Sequence, residues 1–401
     1  MPGRAREGRR TQAVTPTDAR PLAGIVVVDL TRVLAGPYAT MVLANLGARV
    51  VKVERPRRGD DARDIGPFVG GKSLYFSALN CDKESIALDL KAAADRVVFE
   101  RLLGRADVLV ENFRPGTLER LGFGPDVLAA RWPRLVYAAT SGFGHTGPLA
   151  HRPAYDMVVQ AMGGVMSLTG HPGGPPARVG VSIGDITAGL FLALGIQAAL
   201  WRRRETGRGT MVDVAMLDCQ LAILENALTT HLVTGAIPGP LGTRHPNIAP
   251  FQAFEAGDGR PFVVCAGHDE VFARLCDAVG RRDLLADPRF GTAEDRRVHV
   301  EGLAATLGAV FATRPAAEWL ERLEAAGVPC APVNTVADVV REPQVAARHM
   351  VLDVADPQIG ALRVAGNPIK LGDVPERTER RPPPELDRDR AAILAWLDGD
   401  V

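Results

Sequence analysis

Short β-branched runs alternate with helical patterns through the first 140 residues, and this alternation limits the possible folds more than any other feature. The first two runs are Gly24–Asp29 and Val50–Glu54, with a turn at Leu34–Tyr38 and a short helical pattern at Ala39–Leu46 between them. Such runs are typical of strands that are buried on both faces of a sheet. Because the connection suits a parallel crossover, the two runs predict one strand–helix–strand unit.

Two further runs, Val108–Glu111 and Leu135–Ala139, continue the pattern and favour an open, doubly wound α/β sheet with helices on both faces. A long helix is predicted from Met216 to about Val233. After a stretch rich in proline and glycine at Thr234–Pro250, a hairpin at Phe251–Ala266 and three helical patterns indicate a smaller α+β domain. We therefore predict four segments, which are a disordered Arg-rich extension at 1–21, a large domain at 22–233, a small domain at 234–330, and a linker with a C-terminal return to the large domain at 331–401.

The charge balance argues against a polyanionic partner. Lysine plus arginine and aspartate plus glutamate number 47 each, so no net field attracts nucleic acid or an anionic membrane. The longest apolar run, Ile186–Trp201, is shorter than a membrane span and favours a buried core helix. Five scattered cysteines without C-x-x-C spacing are typical of reduced intracellular thiols and predict neither a disulfide framework nor a zinc site, and we expect a cytoplasmic location.

The stretch Arg178–Leu192, which reads RVGVSIGDITAGLFL, offers two candidate nucleophiles. Asp185 stands at the start of a predicted helix, where free N–H groups and the helix dipole favour an ionised carboxylate. The same stretch spells G-x-S-x-G from Gly180 to Gly184, a motif that presents a nucleophilic serine in hydrolases, here Ser182. A helix cap, a catalytic carboxylate and a catalytic serine are all compatible with this local pattern.

A second glycine motif, G-x-G-x-x-G at Gly142–Gly147, has the form of a dinucleotide fingerprint. The fingerprint requires a helix directly after it, whereas Pro148 and a polar loop follow here. The motif therefore gives nicotinamide binding little support.

Ordered blocks of sequence extend well beyond these motifs. They include GIVVVDLTRVLAGPYATMVLANLGARVVKVERP, SLYFSALNCDKESIALDLK, DVLVENFRPGTLERLGF, RPAYDMVVQAMGGVMSLTG, VGVSIGDITAG, TGRGTMVDVAMLD and AGVPCAPVNTVADVV. Taken together, from about residue 22 to residue 375, they resemble the class III CoA-transferase family, also called the CaiB/BaiF family.

The resemblance implies a Rossmann-like large domain and a smaller domain in an interlocked homodimer. The family moves CoA from an acyl-CoA donor to a carboxylic acid acceptor through a catalytic aspartate, which matches Asp185. We expect Asp185 to form a mixed anhydride and then an aspartyl-CoA thioester. Coenzyme A and acyl-CoA are then substrates, and neither a permanently bound cofactor nor a metal is expected.

The resemblance also assigns the residues of a CoA site, which needs cations for the phosphates and an apolar surface for the adenine. The matching positions are Val33, Leu34 and Ala35 at the nucleotide, Arg55 beside the adenine, Leu88, Lys91, Asn112, Phe113 and Arg114 as further contacts, Arg120 near the phosphates, and Pro153, Ala154, Tyr155 and Asp156 along the pantetheine.

The pair Tyr155-Asp156 distinguishes two activities within the resemblance. The α-methylacyl-CoA racemase branch carries a His-Asp pair here, and its histidine is a base. Because Tyr155 lacks that imidazole, a transferase is favoured over a racemase. We expect Asp156 either to assist the site or to make a structural hydrogen bond.

Two departures from the family pattern bear on substrate specificity and on catalysis. Leu34 replaces the glutamine of formyl-CoA:oxalate transferases, which leaves oxalate specificity undecided. The C-terminal G-E-H-T motif is absent, and Pro384-Glu-Leu-Asp387 occupies its region. A CoA-binding protein without catalysis therefore stays open as a hypothesis, as does a serine hydrolase built on Ser182.

Overall fold

A computed structural model of the protein describes residues 20–399, so most of the predicted extension at 1–21 lies outside the described residues. The strands are β1 Val26–Asp29, β2 Arg49–Glu54, β3 Phe68–Val69, β4 Lys72–Ser73, β5 Glu84–Ala87, β6 Val108–Glu111, β7 Val136–Ser141, β8 Met211–Ala215, β9 Phe251–Glu255, β10 Pro261–Cys265, β11 Cys330–Pro332, β12 Val351–Asp356 and β13 Gly360–Ala365. The α-helices are α1 Ala35–Asn45, α2 Leu74–Asn80, α3 Ala93–Arg105, α4 Thr117–Arg120, α5 Pro125–Arg131, α6 Asp156–Met162, α7 Val165–Leu168, α8 Ile183–Thr206, α9 Met216–Ala222, α10 Asn226–Thr234, α11 Asp269–Val279, α12 Asp283–Ala286, α13 Ala293–Val298, α14 Val300–Phe311, α15 Ala316–Ala325, α16 Val336–Val339, α17 Pro343–Ala347 and α18 Arg390–Asp398.

The chain forms two compact units, each built from separate stretches of sequence. The first unit takes in the described chain up to Gly163, the stretch Val181–Ile223 and the chain from Ala347 onward, and the remaining residues form the second unit. Residues 164–180, 224–233 and 331–346 thus belong to the second unit, outside the predicted limits of the small domain. The long helix expected from Met216 to about Val233 is wrong, because the chain breaks between α9 and α10, where Glu225 has a positive φ of 55°.

The first unit is built on one six-stranded sheet. Its strand order is β5-β2-β1-β6-β7-β8, and every neighbouring pair is parallel. In chain order this is 3-2-1-4-5-6, the order of doubly wound, Rossmann-type sheets. The predicted open parallel α/β sheet is therefore confirmed. The edge strand β5 was not predicted, because its sequence begins with Glu84 and Ser85 and lacks an apolar run.

Helix α8 is the principal helix on one face of this sheet. Its buried residues, among them Leu192 and Ile196, pack in a cluster with the central strands. Helix α1 approaches α8 closely at Gly189, where an added Cβ would lie only 2.7 Å from the carbonyl oxygen of Ala35. By length and composition alone, α8 is the one helix in residues 20–399 that could cross a membrane, and half of its most apolar window is buried inside the protein.

The second unit has a three-stranded antiparallel sheet in the order β11-β10-β9. The predicted hairpin at Phe251–Ala266 is present as β9 and β10. The core of the second unit is aromatic. Phe311 contacts the rings of Phe254, Phe262 and Trp319 at centroid distances of 5.0 to 5.3 Å.

The strand order of the first unit fixes where a ligand can bind. Since all six strands are parallel, their carboxyl ends meet at one edge of the sheet. The chain order reverses between β1 and β6, so the loops that follow these two strands diverge and leave a crevice.

Candidate active site

Two neighbouring cavities lie at the carboxyl edge of the sheet in the first unit. The first, here called the Asp185 cavity, has a volume of about 280 Å³. The second, here called the Lys91 cavity, has a volume of about 480 Å³. The Asp185 cavity is lined by residues 32–35, 112–115, 140–142 and 152–155 with Asp61, Asp185 and Met216. The Lys91 cavity is lined by residues 30–32, 53–57, 59–60 and 88–91 with Phe113, Thr117 and Leu121.

The structure gathers most of the residues expected at a CoA site into these cavities. In the Asp185 cavity are Val33, Leu34, Ala35, Asn112, Phe113, Arg114, Pro153, Ala154 and Tyr155. In the Lys91 cavity are Arg55, Leu88 and Lys91, and Phe113 lines it as well. Two expected residues line neither cavity. Arg120 lies on α4 and donates to the Thr117 hydroxyl at 3.0 Å, and Asp156 is buried behind the Asp185 cavity.

Asp185 is half-buried in the first turn of α8. Its carboxylate accepts a hydrogen bond from the backbone N–H of Ala35, the first residue of α1. Burial and, second to it, the nearby charge of Asp156 raise the pKa of Asp185 to about 7. The expectation that the helix start keeps this carboxylate firmly ionised is therefore wrong. Removal from water outweighs the favourable N–H groups, and the side chain titrates near neutrality.

Asp156 holds the start of α8 in place. One carboxylate oxygen accepts from the backbone N–H of Gly184 at 2.8 Å, and the other accepts from the side-chain amide of Gln160 at 2.7 Å. Only glycine fits at position 184, because an added Cβ would lie 2.7 Å from a methyl group of Val159. Asp156 is thus a buried partner of the helix that carries Asp185, and its second effect is to place a negative charge near Asp185.

Ser182 is poorly placed to be a nucleophile. It stands at the N-cap of α8, makes no capping hydrogen bond through its side chain and does not line the Asp185 cavity. A nucleophile elbow requires a strand before the serine, whereas residues 171–182 contain no strand. The G-x-S-x-G motif therefore lacks the strand–turn–helix structure that presents a catalytic serine in hydrolases.

The loop between β1 and α1 is strained at the point where it lines the Asp185 cavity. Val33 is a β-branched residue with a φ of 66°, a left-handed conformation that costs about 1–2 kcal/mol. Its backbone N–H donates to Asp60 at 3.0 Å, and Asp60 pairs with Lys52 at 2.8 Å in a fully buried ion pair. Asn112 secures the preceding residue, because its side chain accepts from the N–H of Arg32 at 2.8 Å and donates to the carbonyl of Arg32 at 2.7 Å.

This buried support was missed from the sequence, although one signal was available. Lys52 interrupts the apolar strand V-V-K-V-E, and a fully buried lysine needs a buried partner. Burial alone would raise the pKa of Asp60, but the charge of Lys52 keeps that pKa below its ordinary value. The pair stays charged, and its hydrogen bond to Val33 holds the loop that leads to the Ala35 N–H at Asp185.

Tyr75 on α2 was also missed. Burial raises the pKa of its hydroxyl to about 12, and the charges of Asp185 and Asp156 add to this rise. The Tyr75 hydroxyl is therefore protonated at neutral pH and close enough to Asp185 to interact with it electrostatically. The block SLYF that contains Tyr75 is part of the resemblance, but its sequence alone indicates no role for the hydroxyl.

The site combines the partly buried carboxylate of Asp185, the Ala35 N–H that donates to it, the nearby hydroxyl of Tyr75, and cations along an adjoining cavity. A carboxylate in this setting can form an acyl bond, and N–H donors can stabilise the oxyanion that develops. Arginine and lysine side chains suit phosphate groups. Within residues 20–399, no group of three or more histidine, cysteine or acidic side chains could hold a metal ion.

Comparisons with known proteins agree with this chemistry. The family model of CoA-transferase family III matches residues 22–390. The chain is 48% identical to acetyl-CoA:oxalate CoA-transferase from Acetobacter aceti, over 93% of this chain and 95% of that protein. It is 38% identical to succinyl-CoA:glutarate CoA-transferase from Mus musculus, over 94% of this chain and 86% of that protein. A crystal structure of a CaiB/BaiF family protein from Brucella suis superposes with a TM-score of 0.84 at 40% identity, covering 94% of this chain and 100% of that chain.

Proposed function

The chain belongs to CoA-transferase family III and is an acyl-CoA:carboxylate CoA-transferase, and on this premise we propose that it transfers CoA to a small dicarboxylic acid through covalent intermediates on Asp185. The observation that carries the proposal is the position of Asp185. Asp185 lines a cavity at the switch point of the sheet and accepts a hydrogen bond from the first N–H of α1. A larger cavity beside it is lined by Arg55 and Lys91.

The first half of the reaction loads CoA onto Asp185. The carboxylate attacks the thioester carbon of the donor, the carbon–sulfur bond breaks, and CoA thiolate leaves a mixed anhydride behind. The thiolate then attacks the Asp185 carbonyl carbon and releases the donor acid as a carboxylate. The product is an aspartyl-CoA thioester, and the Ala35 N–H is positioned for the oxyanion that forms on Asp185.

The second half of the reaction runs these steps in reverse with the acceptor. The acceptor carboxylate attacks the Asp185 thioester carbon, expels CoA thiolate and forms a second mixed anhydride. The thiolate attacks the acyl carbon that came from the acceptor, and the bond to Asp185 breaks. The new acyl-CoA leaves, and Asp185 is a carboxylate again, so no proton or redox partner is consumed.

The two cavities suggest how CoA binds. We assign the nucleotide to the Lys91 cavity, where Arg55 and Lys91 supply positive charge and Leu88 supplies apolar surface. Arg32 and Phe113 line both cavities, so the pantetheine arm passes them on its way to Asp185. The acceptor is proposed to be a dicarboxylate because oxalate and glutarate, named for the two relatives above, both carry two carboxylates.

We also propose a homodimer, as expected for an interlocked member of this family, and a cytoplasmic location. Helix α8 supports the first point, because Leu190, Leu194 and Trp201 are 44%, 61% and 67% exposed. Their spacing of four and seven residues places them along one face of the helix. Apolar side chains of this size along one face favour contact with another copy.

A trapping experiment tests the catalytic role of Asp185. The protein is incubated with acyl-CoA and then with hydroxylamine, which converts an aspartyl thioester to a hydroxamate that mass spectrometry can locate. We expect the modification at Asp185, and we expect Asp185→Ala to lose CoA transfer. Ser182→Ala is the matched control and should retain it. Transfer by Asp185→Ala together with inactivity of Ser182→Ala would overturn the mechanism.

A further inference from the structure

Three arginines line the Asp185 cavity, and two of them already have partners or roles. Arg32 donates to Asp61 at 2.9 Å, lies over the ring of Phe113 at 5.2 Å and also lines the Lys91 cavity. Arg114 belongs to the block that is matched to CoA contacts. Arg152 lines only the Asp185 cavity, and no carboxylate within residues 20–399 pairs with it.

Three contacts place Arg152, an exposed residue, at the wall of the Asp185 cavity, one through its guanidinium and two through the backbone around it. Its guanidinium carbon lies 5.7 Å from the ring centroid of Phe143, which is buried. Its backbone N–H donates to the carbonyl of Leu149 at 2.8 Å. The following segment is pressed against the end of β7, where a Cβ added to Gly142 would lie 2.4 Å from the Cβ of Ala154. Arg152 therefore presents an exposed cation from a backbone segment that is fixed at the wall of the cavity.

The charge of Arg152 becomes important after CoA has been loaded. Asp61, the other acid that lines the cavity, is already paired with Arg32 and Arg55. When Asp185 carries CoA as a thioester, its own charge is gone. The acceptor then enters a cavity in which the charge of Arg152 has no counterpart among the lining residues. A monocarboxylate uses its only carboxylate to attack Asp185, whereas a dicarboxylate retains a second one.

We propose that Arg152 binds the second carboxylate of the acceptor and thereby selects dicarboxylates over monocarboxylates. This inference rests on the proposed transferase reaction at Asp185. The guanidinium can bind a carboxylate through two parallel N–H···O bonds, and the ring of Phe143 keeps it oriented. Arg152 is thus a specificity residue, because the bonds that form and break are all made at Asp185, the acyl carbons and the CoA sulfur.

The test compares matched acceptors with one donor that has no second carboxylate, such as acetyl-CoA or butyryl-CoA. The acceptors are glutarate and pentanoate, and the readout is the ratio of their kcat/KM values. We expect wild type to favour glutarate and Arg152→Gln to lose about 100-fold in kcat/KM for glutarate, with pentanoate changed less than about 3-fold. Arg152→Lys should fall between the two, because lysine keeps the charge but lacks the planar fork.

Two controls make the result specific. Arg204→Gln removes another exposed arginine that lies over an aromatic ring, at 5.4 Å from Trp201, and should leave the ratio unchanged. Exchange of labelled acetate into acetyl-CoA reports the donor half-reaction, which needs no second carboxylate, and should persist in Arg152→Gln. If Arg152→Gln does not fold, Arg152→Lys provides the test. Its ratio of kcat/KM for glutarate to kcat/KM for pentanoate should then be lower than that of wild type.

The outcomes separate this inference from the reaction on which it rests. Equal losses for glutarate and pentanoate, an unchanged ratio, or a wild-type preference for pentanoate would overturn the role of Arg152. Absence of exchange in wild type, or exchange that survives in Asp185→Ala, would instead overturn the proposed transferase mechanism.

Discussion

Replacement of Asp156 by asparagine tests the electrostatics of Asp185, the proposed nucleophile. The charge of Asp156 is the second of the two causes that raise the pKa of Asp185 from an ordinary 3.8 to about 7, and burial is the larger. Asparagine retains an oxygen that can accept from the Gly184 N–H, which lies 2.8 Å from Asp156. The substitution therefore removes the charge and keeps the cap on α8, so the pKa of Asp185 should fall.

The size of the expected pKa change follows from the burial of Asp185 and from the charge of Asp156 beside it. A rise from 3.8 to about 7 favours the protonated form by about 4 kcal/mol. Because burial accounts for the larger part, loss of one neighbouring charge should lower the pKa of Asp185 by about one unit, or about 1.4 kcal/mol. In the proposed mechanism only the ionised carboxylate attacks, so kcat/KM of wild type should rise with pH through about 7 and lie about 100-fold below its plateau at pH 5.

The assay is the pH dependence of kcat/KM for the acyl-CoA donor, in wild type and in Asp156→Asn. We expect the midpoint of the variant near pH 6. Glu111 is a second carboxyl group in this unit whose pKa is raised to about 7, by burial, and it accepts from the N–H of Phe113. Glu111→Gln is therefore a necessary control and should not move the midpoint. An unmoved midpoint in Asp156→Asn, or a shift that occurs only in Glu111→Gln, would refute the reasoning.

Two further predictions concern stability and assembly. Asp185→Asn should raise the free energy of unfolding, because the folded protein penalises the ionised carboxyl group of Asp185. Since the pKa of Asp185 is raised in the folded state, this penalty is complete above about pH 7 and fades as the pH falls toward 3.8. Urea titrations should show a gain that is about 2 kcal/mol larger at pH 8 than at pH 5, and equal gains would contradict the raised pKa. Leu194→Glu should convert a dimer to a monomer in light scattering, because Leu194 lies on the exposed apolar face of α8; a monomeric wild type would argue against the homodimer.

The strands that could be predicted from the sequence are those whose residues are mostly apolar. The runs that became β1, β2, β6 and β7 are buried on both faces and rich in apolar residues, even though the buried Lys52 interrupts β2. Strand β5 differs, because Ser85 is buried through a hydrogen bond of 2.7 Å to Glu54. A strand stabilised by paired polar groups leaves no apolar signature in the sequence.

Helix limits were less predictable where the backbone depends on tertiary contacts. Helix α1 begins at Ala35, four residues before the predicted Ala39, because Gly36 and Pro37 were interpreted as a turn. Proline is compatible with a first helical turn, where no N–H donor is needed. This early start matters, because it makes the N–H of Ala35 the first free donor of α1 and directs it at Asp185.

Most residues of the candidate site could be assigned through the family resemblance. The pKa of Asp185 and the contacts that support the site could be seen only in the structure. Sequence spacing places Asp185 in a first helical turn, where a low pKa is the ordinary expectation. It cannot show that Asp156, 29 positions earlier, is buried behind the same turn. Nor can spacing show that Asp60 supports a left-handed Val33, since that contact joins two loops of different strands.

The raised pKa of Asp185 and its proposed role as a nucleophile follow from the same physical cause. Burial penalises the charged carboxylate, whereas the mixed anhydride and the aspartyl-CoA thioester carry no charge on Asp185. The environment that favours the protonated form by about 4 kcal/mol therefore also favours both covalent intermediates over the free carboxylate. A carboxylate with a pKa near 7 is also a stronger base than an ordinary aspartate, yet about half of it is ionised at neutral pH. A nucleophile fully stabilised by the helix dipole would be ionised throughout, but it would gain less from becoming acylated.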